Sequence, residues 1–137
     1  WHKYADLKDH TVGLTKSYHY SDPLHLAVSK GVFQVQIANQ DILNFKKLFK
    51  KRIDLFPLDY VVAQDILLNH FSKQQQQKIT FHPSPVHEGT QHLILSKKRP
   101  QNATLIKRFN KGLSKLKESG QYQQLWHNFE QGKYNGE

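Results

Sequence analysis

The sequence predicts an α/β fold with a mainly parallel central sheet flanked by helices. Three observations carry that expectation. Short β-branched or aromatic runs at residues 11–15, 32–37 and 53–56 alternate with longer stretches whose apolar residues recur every three or four positions. Gly31, Pro57 and Gly120 fall where one pattern gives way to the next. The 137 residues, 37% of them hydrophobic, are enough to bury one globular core.

Residues 11–15 (TVGLT) read as the first strand and residues 17–23 (SYHYSDP) as the loop that leaves it. Pro23 suits the first turn of a helix capped by Ser21 or Asp22, and Gly31 ends that helix as a left-handed C-terminal residue would. A second strand follows at 32–37. The next helix, about 40–51, puts Ile42, Phe45, Leu48 and Phe49 on one stripe with lysines opposite. Residues 53–56 (IDLF) form the third strand, stopped by Pro57, and residues 59–71 another helix through Val62, Ile66 and Leu67. The polar run 73–78 (KQQQQK) is an exposed helix end or loop. Two more short strands are expected at 79–81 and 92–96, separated by the Pro-containing loop 82–89. Ile106, Phe109, Leu113 and Leu116 mark a helix at 105–117, and Tyr122, Leu125, Trp126 and Phe129 one at 121–131.

The formal net charge is +9, but the cations sit in residues 46–52, in residues 97–99 and along C-terminal helix faces. Such runs are ordinarily solvated faces, and no recognition motif accompanies them, so nucleic acid is not an expected partner. The chain lacks cysteine, which excludes a disulfide framework or thiolate site. Its apolar runs are too short to span a bilayer. The opening residues WHKYADLKD have no signal-like apolar region, so an export signal is expected to lie outside this sequence. His82, His87 and His92 recur at five-residue intervals, which is no zinc spacing. No metal, cofactor or catalytic group is assigned.

Five segments, in chain order, resemble the second lobe of a periplasmic solute-binding protein of the amino-acid type (solute-binding family 3, type II fold). Residues 5–15 (ADLKDHTVGLT) resemble the "adLkGktVGv" that opens that lobe, residues 44–54 (NFKKLFKKRID) resemble "l..L..GRiD", and residues 59–63 (DYVVA) the acid and helix that follow. Residues 92–97 (HLILSK) resemble the strand "yyiafsK", and residues 105–122 (LIKRFNKGLSKLKESGQY) the closing "l...fn.aL..lk.sG.y". Lys51 stands where the family usually has Gly. Residues 17–20 (SYHY) replace a Gly-Thr/Ser-rich loop that touches the ligand carboxylate, so the ligand class stays open. The resemblance implies a second lobe at 1–92 and, at 93–137, a strand and helices returning to a first lobe that is largely missing. It also implies an apolar surface on the returning segment and hence possible self-association through residues 93–137.

Two acids, Asp54 and Asp59, bracket the third strand. Asp54, within the strand, reads as a structural carboxylate paired with a backbone N–H or a nearby cation. Asp59 opens a helix past the carboxyl end of that strand, the edge where open α/β sheets bind ligands. As an N-cap it accepts backbone N–H bonds; by resemblance, the acid here pairs with a ligand α-amino group. Ser17, Tyr18, His19 and Tyr20, in the loop after the first strand, are the other candidates. They offer a hydroxyl donor, two aromatic faces and an imidazole that can donate or accept, or else they pack on the surface of the lobe. The resemblance then implies the substrate-binding component of an ABC-type transporter, not an enzyme. It would be periplasmic, closing by a hinge on a small polar solute (an amino acid or related metabolite) and presenting it to an inner-membrane ABC permease. Alternatives are a dehydratase-like enzyme of the same fold, with His19 and Asp59 as acid and base, and the ligand-sensing ectodomain of a membrane receptor.

Overall fold

In a computed structural model, which describes residues 1–134, the chain divides into two units, Trp1–Glu88 and Gly89–Glu137. Asn135–Glu137, the end of the expected returning segment, lie outside the described residues.

The first unit is α/β. β1 (Thr11–Thr15) pairs in parallel with β2 (Gln34–Ala38), from Thr11 opposite Gln34 to Thr15 opposite Ala38. A parallel pair needs a crossover, and α1 (Asp22–Ser29) supplies it. Pro23 lies in the first turn of α1, as expected. Ser21 occupies the N-cap, but its hydroxyl makes no capping bond. At the other end Gly31 takes φ 62, its N–H reaches Val28 O at 3.0 Å, and Val32 N–H reaches Ala27 O at 3.1 Å. That pair of bonds is a Schellman closure, which demands a left-handed residue between helix and strand.

α2 (Asp41–Phe49) ends in the same way, with Lys51 N–H to Leu48 O at 2.9 Å and Arg52 N–H to Lys47 O at 2.9 Å. Here the left-handed residue is Lys51, at φ 54. A side chain in that region is strained, whereas glycine is not. Lys51→Gly is therefore expected to raise the unfolding free energy by about 0.5–1 kcal/mol, the relief of strain exceeding the added flexibility of the unfolded chain. A lowered urea midpoint would contradict this.

Alternation along β1 sends its side chains to two faces. Val12 and Leu14 join Leu24, Ala27 and Phe33 in a buried cluster under α1. Gly13 and Thr15 face the other way, toward α2 and Ile53. There Phe45, Ala63 and Leu67 form a second cluster between α2 and α3 (Tyr60–His70), edged by Leu48, Phe56, Ile66 and Phe71.

Three expected strands are corrected. Residues 53–56 form no strand, but a single parallel bridge joins Leu55 to Val12. Asp54 N–H donates to Thr11 O at 2.8 Å and Gly13 N–H to Leu55 O at 2.8 Å, so the segment flanks β1 on the side away from β2. Left-handed Lys51 and Pro57 bound it too closely for more. Residues 79–81 and 92–96 do not form strands either. Ile79 packs on the second cluster, and the Phe81 ring lies 4.9 Å from that of Tyr60, so side-chain contacts replace sheet pairing. Residues 80–94 are all exposed, Ile94 to 87%. The polar run after α3 contains a one-turn helix, α4 (Lys73–Gln76), held by a capping box between Ser72 and Gln75.

The second unit carries α5 (Asn102–Glu118) and α6 (Gln121–Glu130). Their apolar stripes are the expected ones, and Trp126 meets Tyr122 and Phe129 edge-on at 6.3 and 5.9 Å. Neither helix has a buried residue, and Leu105, Phe109, Leu125 and Trp126 are exposed. Among the described residues no helix is long and apolar enough to cross a membrane.

Candidate functional site

The lateral order of the three parallel segments is β2, β1, 53–55. The chain leaves β1, steps to β2 on one side, then passes through α2 to the other side of β1. Loops after β1 and after 53–55 therefore diverge at one edge, the arrangement that opens a crevice in α/β sheets. The first of those loops holds Ser17–Tyr20 and the second ends at Asp59.

At that edge β1 finishes with buried Thr15, and Lys16 N–H extends the ladder to Ala38 O at 2.8 Å. Ser17 then takes φ 66, turning the chain sharply, and Tyr18 N–H returns to Thr15 O at 3.3 Å. The turn aims Tyr18 at the first residue of α2. The Tyr18 hydroxyl donates to Asp41 Oδ2 at 2.5 Å, and Thr15 Oγ1 donates to Asp41 Oδ1 at 2.6 Å. Fully buried Asn44, one turn into α2, donates Nδ2 to Thr15 Oγ1 at 3.1 Å. Behind them Thr15 N–H donates to the Tyr20 hydroxyl at 2.8 Å. The rings of Tyr18 and Tyr20 stand 6.1 Å apart at 45°.

Of the expected residues, Tyr18 and Tyr20 thus join one network, Ser17 makes the turn that permits it, and exposed His19 packs its ring on His25 of α1 at 5.6 Å. Asp59 stands apart from it, as the N-cap of α3. Its Oδ1 accepts from Val61 N–H at 2.9 Å and Val62 N–H at 3.2 Å, so Oδ2 takes no part in the cap. Among the described residues no hydrogen bond joins His19 to Asp59. Asp54 lies at the opposite edge, where its Oδ2 accepts from Thr11 N–H at 2.7 Å. That is the backbone pairing expected of it, although its side chain is exposed.

The sequence reading missed Asp41, Thr15 and Asn44. Asp41 carries the same signal that singled out Asp59, an acid opening a helix beyond a parallel strand. Two surface depressions lie elsewhere, one along α1 at Asp22, Pro23, His25, Leu26 and Ser29, the other beside β2 and α2. Among the described residues no group of three or more His, Asp or Glu is placed to hold a metal ion.

The Asp41 hydrogen bond, then burial, then the Asp41 charge push the Tyr18 hydroxyl from 10.0 up to about 12. Tyr20 is also raised, chiefly by burial. A tyrosine whose folded pKa exceeds its unfolded one stabilises the fold fully below pH 10.0, and that contribution is lost as pH rises toward about 12. In Asp41→Asn the Tyr18 hydroxyl is expected to titrate back toward its ordinary value. Alkaline ultraviolet titration, with Tyr18→Phe subtracted, reads the change; an unmoved titration would show that Asp41 does not hold it.

No family model, no curated protein and no solved structure matches the chain.

Proposed function

We propose that the first unit is the second lobe of a two-lobed solute-binding protein of the amino-acid type, periplasmic and serving an ABC permease. In this reading it captures a small polar solute by hinge closure at the carboxyl edge of β1. The observation that carries the reading is the divergence of the two loops at that edge, one bearing Tyr18 and Tyr20 and the other ending in Asp59. Left-handed Lys51 adds support, since it stands where the family pattern has its glycine. Asp59 Oδ2 receives the ligand's ammonium while Oδ1 keeps the helix cap, so one side chain serves both roles.

A thermal-shift screen of amino acids and amines tests this, because a ligand bound to the native state raises the melting temperature. A ligand found this way is expected to bind Asp59→Asn about tenfold or more weakly, with the fold kept because asparagine also caps helices. Equal affinity of the two proteins would remove Asp59 from the site.

A further inference from the structure

We infer that Asp41, with Tyr18 and Tyr20, forms a subsite for a cation, so that the solute carries an ammonium or guanidinium group beyond any α-amino group. The inference rests on the solute-binding reading and adds the charge of the ligand and the residue that holds it. Its basis is an imbalance. Asp41 is half-buried at the sheet edge, yet the partners that hold its carboxylate are two hydroxyls, neither of which carries a charge. A carboxylate offers about four acceptor positions, and these hydroxyls fill two. Both oxygens therefore retain capacity for a further donor.

The surroundings suit a cation. Tyr18 is 45% exposed and stands tilted beside Tyr20, giving an aromatic flank next to the acid. Aromatic faces attract ammonium and guanidinium groups, and more strongly as water is excluded. The rest of the network fixes the acid in place. Thr15, buried at the end of β1, is held by Asn44 through its hydroxyl and by Tyr20 through its N–H, so Asp41 Oδ1 is anchored from beneath. Tyr18, on the exposed side, is the partner a ligand can share or displace.

Arginine and citrulline test this, since they differ at the side-chain terminus by one charge and little in shape. Calorimetric titration of the whole chain is expected to show arginine binding about tenfold or more tightly than citrulline. Asp41→Asn, which keeps the acceptor for Thr15, is expected to erase that preference. Tyr18→Phe keeps the ring and releases Oδ2, so the preference should persist or grow. Equal binding of the two probes by the unaltered protein, a preference that survives Asp41→Asn, or its loss in Tyr18→Phe would overturn the cation subsite and leave the solute-binding reading standing. Binding of neither probe, nor of any solute in the screen, would overturn both.

Discussion

Truncating Phe45 to alanine is expected to lower the unfolding free energy by about 3–5 kcal/mol, the usual cost of deleting a buried aromatic ring. Phe45 is 2% exposed and meets the ring of Phe56 at 5.6 Å and that of Phe71 at 5.8 Å, the first nearly perpendicular. It thereby ties α2 both to the segment that leads into Asp59 and to the residue just past α3. Phe71 in turn packs on the ring of Phe49 at 5.0 Å, so the rings around Phe45 also hold one another. Urea denaturation should show a lower midpoint with an unchanged slope. A loss below about 1 kcal/mol would mean that this cluster closes over the gap and is not the rigid support of α3.

Gly13→Ala is expected to cost about 1–3 kcal/mol by the opposite route, overpacking. A Cβ on Gly13 would lie 2.4 Å from Ile53 Cδ1 and 2.9 Å from Asn44 Oδ1. Neither neighbour yields easily, since Ile53 is 2% exposed and Asn44 is bonded to Thr15. The glycine is needed here for closeness of approach, so that α2 and residue 53 can meet over the middle of β1. Adding Ile53→Val, which removes the atom in conflict, should recover part of the loss. Full stability in the single variant would show that α2 sits further from β1 than the structure places it. The same substitution should also disturb Asp41, because Asn44 and Thr15 carry the displacement to it.

The regular elements were legible where a period was long enough to repeat. Asp22–Ser29, Asp41–Phe49 and Tyr60–His70 all lie within two residues of their expected bounds, since three- and four-residue apolar spacing, Pro23 and Gly31 speak for themselves. The short strands were another matter. Residues 79–81 and 92–96 have apolar strand-like composition, but a strand exists through its partner, and three to five residues say nothing of one. Residues 53–56 did find β1 as a neighbour, yet the left-handed turn at Lys51 and Pro57 cut the pairing to one bridge. Asp59 could be read as a helix cap because capping is local. Asp41 could not be read as the centre of the network, because its partner Thr15 is 26 residues away and the meeting depends on β1 and β2 pairing in register.

Solute is expected to bind at the carboxyl edge of β1. An amide-resolved nuclear magnetic resonance titration of the whole chain with arginine tests it most directly, since weak binding still moves individual signals. Perturbations are expected to concentrate at residues 16–20, 41–44 and 59–62, with the same map shrinking in Asp41→Asn and Asp59→Asn. Perturbations confined to the exposed helices α5 and α6, or to the lysine-rich side of α2, would contradict it.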